Sequence, residues 1–207
     1  MTGDQRRPDT WPEDLILSLE AIPCGYLRYY YMRDEILAKL LAAESRGEPT
    51  RGEAVLEVEK ELFRLYRDPK LSEKPAALAK RGGALYSEAA VRLMASIHND
   101  RRDIQCVITP NRGALADLPA DAGVDVNCVI DAQGAHPLMV GHLKPQLRGL
   151  LQGVKAYEEL AIDAAVTGNP RTAYQALLAN PLVPSERIVK PLLADILAEN
   201  AKFLPHH

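Results

Sequence analysis

The chain has 207 residues and a mass of 22.8 kDa, enough for one domain with a sizeable core or for two small ones. Its formal charge of −3 argues against nucleic acid and anionic membranes as partners, because both require clustered positive charge. A hydrophobic content of 47% excludes a disordered chain, and neither a membrane-spanning run nor a signal peptide is visible. Three widely separated cysteines predict free thiols in a reducing compartment, so we expect a cytoplasmic protein.

The first part of the chain predicts a series of helices after a polar start. We expect residues 1–10 to form a flexible segment and residues 11–207 to form one domain. Helical apolar spacing marks three segments, at Leu15–Glu20, Asp34–Leu41 and Glu53–Arg67. Ser87 is a candidate N-cap for a further helix through Asn99. The residues predicted to be buried on that helix are Ala90, Val91, Met94 and Ile97.

The middle of the chain predicts strands. Ile104–Thr109 is rich in β-branched residues and predicts the first strand. In the next segment apolar residues alternate with mostly polar ones, which indicates a strand with one buried face. The apolar members of that alternation are Val124, Val126, Cys128 and Ile130. A turn then leads into His136–Val140, so we expect an antiparallel hairpin.

The last part of the chain is predicted to be helical again. One long helix runs from Pro145 to Gly168, and a short one starts at Asn169-Pro170. Ser185 is expected to cap the last helix, which Pro191 should kink or split. The inward-facing residues of that helix are predicted to be Ile188, Leu192, Leu193, Ile196 and Leu197. The whole pattern predicts an α+β fold, helix-rich with a small, mainly antiparallel sheet.

The motifs of common cofactor and metal sites are absent from this sequence. None of the 13 glycines has another glycine two positions away, and no P-loop, Cys-x-x-Cys or His-Glu-x-x-His motif occurs. His136 and His142 lack a metal-ligand spacing and are interpreted as loop histidines, and His206-His207 as a frayed tail. The three cysteines are expected to be small buried groups. The residues alone therefore do not predict a complete enzyme.

A cluster of tyrosines is the most unusual feature of the composition. Four of the eight tyrosines, Tyr26 and Tyr29–Tyr31, fall within six residues. They could fill the core beside a helix start, with their hydroxyls satisfied at its edge. Alternatively, one phenol acts as an acid or base; because a free tyrosine has a pKa near ~10, this role requires nearby positive charge. Arg28 or a bound metal could supply that charge.

Two further stretches concentrate polar groups. Arg81 and the glycines that follow it stand just before a predicted helix, an arrangement suited to a phosphate or a similar anion. An exposed, flexible turn is the alternative for that stretch. The polar loop around Asn111 and Arg112 lies between predicted strands and is most simply explained by turn chemistry.

Five motifs in order give the chain a resemblance to the C-terminal half of the 6-phospho-β-glucosidases of glycoside hydrolase family four. The resemblance covers nearly all of the chain from about Trp11 onwards. The motifs are YLRYY at 26–30, RGGALYS at 81–87, NRGALADLP at 111–119, VNCVI at 126–130 and NPLVPS at 180–185.

The resemblance implies a fold like the C-terminal domain of lactate and malate dehydrogenases, and an NAD- and metal-dependent hydrolysis of 6-phospho-β-glucosides. NAD would oxidise the sugar at C3, a base would remove the C2 proton, and elimination, water addition and reduction would follow. The first tyrosine of YLRYY, Tyr26, matches the family's catalytic base. Arg81 and, less directly, Arg28 match candidates for the substrate phosphate, and Asn111 and Arg112 would be structural or at the rim.

The same resemblance implies that half of the enzyme is missing from this chain. The family's N-terminal Rossmann half carries NAD and the ligands of a divalent metal, usually manganese, so we expect neither group on this chain alone. The expected partners are that half, a 6-phospho-β-glucoside and further copies of the chain, and the isolated chain should be inactive. Two alternatives remain open: a non-catalytic oligomerisation module, with the helix from Pro145 as part of the interface, and a sugar-phosphate-binding module.

Overall fold

The structure is a computed structural model that describes residues 11–82 and 85–204. By its internal contacts the chain divides into two compact units, Met1–Arg101 and Arg102–His207. The predicted flexible segment at 1–10 lies outside the described residues, as does the predicted tail at His206-His207, and the proposed domain boundaries stay a prediction. No helix in the described ranges combines the length and apolar character that a bilayer span requires.

The first unit is helical, as the apolar spacing predicts. Thr50 caps the helix that follows it: its hydroxyl accepts from the Glu53 N–H, and the Glu53 carboxylate accepts from the Thr50 N–H, which forms a capping box. The helices are α1 Glu13–Leu19, α2 Arg28–Tyr31, α3 Arg33–Ser45, α4 Arg51–Leu65, α5 Leu78–Arg81 and α6 Tyr86–His98, with a 3₁₀ turn at Gly25–Leu27 before α2.

Two expectations about α6 were wrong. The helix begins at Tyr86 with Leu85 as N-cap, so Ser87 lies within the first turn instead of capping it. Val91 and Met94 are each 60% exposed, and the buried position is Ser96. Apolar spacing identifies a face that can be buried, but the neighbouring elements decide which side of a helix packs, and here that side is centred on a small residue.

The second unit contains a three-stranded antiparallel sheet in the order β1-β2-β3. Its strands are β1 Asp103–Pro110, β2 Gly123–Asp131 and β3 Gly134–Pro137. Cys106 lies opposite Asn127 in the β1–β2 ladder, and Val129 lies opposite His136 in the hairpin. The predicted alternation in β2 is confirmed, because its four even-numbered apolar residues are all buried.

Three helices follow the sheet, α7 Pro145–Thr167, α8 Pro170–Ala179 and α9 Glu186–Glu199. Gly168 ends α7 in the left-handed conformation (φ 68°), and the Asn169 side chain caps α8 by accepting from the Arg171 N–H, both as predicted. Within this unit α7 packs against α8.

Pro191 does not split α9, which continues through it from Glu186 to Glu199. Of the two predicted effects, the split was wrong, because a proline removes only one intrahelical hydrogen bond, whereas the kink stays a prediction. The inward face is also displaced from the predicted one: Val189 is fully buried, whereas Ile188 is 42% exposed.

The helices and the small antiparallel sheet confirm the predicted α+β class. The expectation for the cysteines holds only for Cys128, which is fully buried on β2. Cys24 and Cys106 are free thiols. Both are exposed, because Cys24 lies in an irregular turn and Cys106 lies on the solvent-facing side of β1.

Candidate active site around Tyr26

Tyr26 is the middle residue of a short 3₁₀ turn, Gly25–Leu27. The turn follows the buried Pro23 and the extended Cys24 (ψ 143°). It closes with a 2.8 Å hydrogen bond from the Leu27 N–H to the Cys24 carbonyl oxygen. A proline before the turn and a glycine at its first position permit this sharp change of direction. The phenol is therefore presented at the start of a helix rather than within it.

The tyrosines of the cluster differ in their exposure. Tyr26 is 54% exposed and Tyr29 is 40% exposed, while Tyr30 and Tyr31 are half-buried. The two exposed members are three positions apart, a spacing that places side chains on one side of a helical turn. Tyr26 and Tyr29 thus do not fill the core of this chain.

The Arg28 side chain is hydrogen-bonded to the same turn. Its Nε donates to the carbonyl oxygen of Gly25 at 2.7 Å. Among the described residues, its Nη2 is buried and has no hydrogen-bond partner. A buried guanidinium nitrogen without an acceptor costs free energy, so it favours an additional acceptor at this position. The Arg28 guanidinium therefore contacts the backbone of the turn that carries Tyr26.

Arg81 is the last residue of α5 and is held by α4. Its Nε and Nη2 lie 3.1 and 3.0 Å from Oε1 of Glu59. Nη2 of Arg51 donates to the carbonyl oxygens of Lys80 and Arg81, both at 3.1 Å, and so caps the end of α5. Arg81 is therefore positioned by two α4 side chains and already shares its charge with a carboxylate. Gly83 and Ala84, which the predicted anion-binding turn also involves, lie outside the described residues.

The loop after β1 is organised by Asn111. This side chain is fully buried; its Nδ2 donates to the carbonyl oxygens of Leu115, Leu118 and Pro119, and its Oδ1 accepts from the Leu115 N–H. Both polar atoms of this buried amide are hydrogen-bonded within the loop, so Asn111 serves the fold. Arg112 is exposed and adopts a left-handed conformation with φ 48°.

Sequence reasoning assigned no role to Asp117, which joins this loop to the start of α7. One carboxylate oxygen hydrogen-bonds His142 Nδ1 at 3.0 Å, and the other accepts from the Leu143 N–H at 2.6 Å. These bonds, the one from His142 first, hold the pKa of Asp117 below its ordinary value. The pairing spans 25 residues of sequence, so no local pattern could have revealed it.

The second loop histidine has its own carboxylate partner. His136 Nε2 lies 2.9 Å from Oδ1 of Asp131, and this bond, followed by one from the Gln133 N–H, lowers the pKa of Asp131. His136 and His142 are thus engaged separately by two different aspartates. Across residues 11–82 and 85–204, no group of three or more His, Cys, Asp and Glu side chains could hold a metal ion. The described residues do not by themselves form a site for a metal.

The chain belongs to the family 4 glycosyl hydrolases, since residues 3–183 match the C-terminal domain of that family. It is 49% identical over 195 residues to a probable 6-phospho-beta-glucosidase of Bacillus subtilis, an alignment that covers 94% of this chain and 44% of the relative. It is 37% identical over 196 residues to the 6-phospho-beta-glucosidase of Escherichia coli, covering 94% and 43%. The family resemblance inferred from the five motifs is confirmed.

Solved structures support the same assignment. The 6-phospho-beta glucosidase of Thermotoga maritima with NAD and glucose-6-phosphate superposes with a TM-score of 0.85 at 32% identity, covering 98% of this chain and 47% of that one. Another structure of that enzyme, with a TM-score of 0.84, contains manganese, NAD+ and glucose-6-phosphate. This chain spans less than half the length of these relatives.

Proposed function

We propose that this chain acts as the C-terminal, substrate-handling part of a 6-phospho-β-glucosidase. The observation that carries the proposal is the exposed Tyr26 phenol, held on one turn with Arg28, in a chain that is 49% identical to a probable 6-phospho-beta-glucosidase. The substrate would be a 6-phospho-β-glucoside. Full activity would require the further length that the relatives have and this chain lacks.

Tyr26 is proposed as the base that takes the proton from C2 of the sugar. A phenol with an ordinary pKa near ~10 is a weak base at neutral pH, so its deprotonation requires positive charge close by. Arg28 is the cation that the turn itself supplies. NAD and a divalent metal, present in structures of the Thermotoga maritima relative, would provide redox and Lewis-acid chemistry from outside the described residues. No step is assigned through them on this chain.

The phosphate of the substrate is proposed to bind at Arg28 or Arg81. The unpartnered Nη2 of Arg28 favours that residue, because an anion would supply the acceptor it lacks. Arg81 already uses Nε and Nη2 on Glu59, which leaves its Nη1 edge for a phosphate oxygen. We expect this chain to associate with the N-terminal, nucleotide-binding half of the enzyme, and we expect both to lie in the cytoplasm.

A sugar-phosphate-binding module without turnover is the second candidate. The Nη2 of Arg28, unpartnered within the described residues, favours it, because an anion would supply the acceptor that this atom lacks. Calorimetry with glucose 6-phosphate would show saturable binding under either proposal, so binding alone does not separate them. Turnover does.

The test is hydrolysis of a chromogenic 6-phospho-β-glucoside in the presence of NAD+ and Mn²⁺. We expect no turnover by the chain alone, and turnover when the N-terminal part of the Bacillus subtilis relative is added. Tyr26→Phe should abolish the restored activity, whereas Tyr66→Phe, at a tyrosine that is 49% exposed, should leave it unchanged. Turnover by the chain alone would contradict the need for a partner, and a full rate with Tyr26→Phe would remove Tyr26 from the base role.

A further inference from the structure

The last residue of α5, Arg81, is held by helix α4 through both its backbone and its side chain. Nη2 of Arg51 donates to the carbonyl oxygens of Lys80 and Arg81, both at 3.1 Å. Oε1 of Glu59 lies 3.1 Å from Nε and 3.0 Å from Nη2 of Arg81. One helix therefore determines where the Arg81 backbone lies and how its guanidinium group is oriented.

Helix α4 is a defined support for these two side chains. The capping box between Thr50 and Glu53 fixes its first turn, next to Arg51. Leu62, in a later turn, is 4% exposed and anchors the helix within the first unit. Arg51 and Glu59 are eight positions apart, a spacing that recurs on one side of a helix. The two side chains therefore reach the end of α5 from the same side of α4.

The contact with Glu59 uses one edge of the Arg81 guanidinium. A guanidinium carries five N–H groups in one plane, one on Nε and two each on Nη1 and Nη2. Glu59 binds along the Nε–Nη2 edge. The edge formed by Nη1 and Nη2 presents two parallel N–H groups, which match two oxygens of a phosphate. Because the plane is rigid, holding the first edge sets the direction of the second.

The Glu59–Arg81 pair is better suited to orienting the guanidinium than to stabilising the fold. The side chains of Arg81 and Glu59 are 46% and 30% exposed, and an ion pair open to solvent contributes little to the free energy of unfolding. The charge of Glu59 by itself repels a second anion. A favourable effect of Glu59 on anion binding can therefore come only from holding the guanidinium plane, which lowers the conformational entropy lost on binding.

We propose that Glu59 is a positioning residue that, together with Arg51, directs the Nη1–Nη2 edge of Arg81 towards the phosphate of the substrate. This inference rests on the proposed function, in which Arg81 is a candidate for that phosphate, and it adds the residues that orient the candidate. The ligand group is the phosphate of a sugar phosphate, bound by two parallel N–H···O bonds. Glu59 acts on the ligand only through Arg81.

The test is isothermal titration of the full chain with glucose 6-phosphate. We expect Glu59→Ala to raise the Kd by about fivefold, and Glu59→Gln, which keeps an acceptor oxygen, to raise it less. Glu57→Ala is the matched control, because Glu57 pairs with Lys60 on the same helix, and it should bind like the parent chain. In an Arg81→Gln chain, Glu59→Ala should cause no further loss of affinity, because its effect passes through Arg81.

A second measurement uses the enzyme reconstituted with the N-terminal part of the Bacillus subtilis relative. Glu59→Ala should raise KM for a chromogenic 6-phospho-β-glucoside by about fivefold and change kcat by less than about twofold, because it removes a binding interaction. Urea unfolding should give the same midpoint for Glu59→Ala and Glu57→Ala, since both remove a solvent-exposed ion pair. A purely structural role of Glu59 would lower the midpoint of Glu59→Ala and leave KM unchanged.

The inference is overturned if Arg81→Gln weakens binding while Glu59→Ala leaves the affinity unchanged or raises it. It is also overturned if Glu59→Ala weakens binding equally in the parent and Arg81→Gln chains. Either result counts against Glu59 alone and leaves Arg81 as a phosphate ligand. If Arg81→Gln itself has no effect, the assignment of the phosphate to Arg81 fails and the inference fails with it. If the chain alone shows no saturable binding, the KM values of the same variants decide in the same way.

Discussion

The Nε of Arg28 donates to the Gly25 carbonyl oxygen at 2.7 Å across the turn that carries Tyr26. This bond holds the guanidinium against the backbone on the N-terminal side of the tyrosine. It also leaves Nη2 buried and without a partner in the described chain. One nitrogen of the Arg28 guanidinium thus remains available to donate to an anionic partner.

Arg28→Lys should impair the enzyme reconstituted with the N-terminal part of a relative. Lysine retains the charge but cannot hold the Gly25 carbonyl and an anion at the same time, because its single ammonium lacks the planar fork of arginine. We expect turnover of a 6-phospho-β-glucoside to fall by about tenfold or more. Arg33→Lys, at an arginine whose side chain is 48% exposed, is the control. Equal rates for the two variants would remove Arg28 from the site.

Arg81→Gln should weaken sugar-phosphate binding by the chain alone. Glutamine can still hydrogen-bond Glu59 but carries no charge for a phosphate. Isothermal titration with glucose 6-phosphate should show a dissociation constant raised by about tenfold, and Arg64→Gln on α4 should bind like the parent chain. If the affinity is unchanged, the Glu59 pair is purely structural and Arg28 is the remaining phosphate candidate.

Asn111→Ala should destabilise the second unit. The substitution removes an amide that satisfies three buried or partly buried carbonyl oxygens and one N–H. Leaving such groups unpaired costs about 1–3 kcal/mol each when water cannot replace the bond, so we expect a loss of ~3 kcal/mol or more in urea unfolding. Asn127→Ala, at an exposed position on β2, should change the free energy of unfolding by less than about 1 kcal/mol. Similar values for both would contradict the structural role of Asn111.

Asp117→Asn should reduce the stability of the fold at neutral pH. It should also make that stability depend less on pH in the acid range. Hydrogen bonds from His142 and the Leu143 N–H lower the pKa of Asp117 in the folded state. A carboxyl group whose pKa is lower in the folded than in the unfolded state stabilises the fold at pH values above its unfolded-state pKa of about 3.9. This contribution is lost as the pH falls through the folded-state pKa. Thermal unfolding measured from about pH 7 to pH 3 checks this. Asp121→Asn, in the same loop, is the control, and an identical pH profile in both variants would refute the role of Asp117.

Much of this protein could be predicted from local sequence. The period-two alternation of β2 identified its buried face, because successive side chains of a strand point to opposite sides. Gly168 and Asn169 marked the end of α7 and the start of α8, because left-handed backbone and an N-cap each favour particular residues. The YLRYY motif at 26–30, together with the other motifs, identified the family, while the role of Tyr26 stays a prediction.

Other features depended on contacts between residues distant in sequence. The burial of Ser96 in place of Met94, and of Val189 in place of Ile188, was decided by which helix side meets its neighbours. The Glu59–Arg81 pair and the Asp117–His142 bond join segments 22 and 25 residues apart, which no periodicity encodes. The sequence by itself determined where helices and strands form, because capping and alternation are local. Only the tertiary structure decided which side chains are buried, paired or exposed at the site, because those depend on packing.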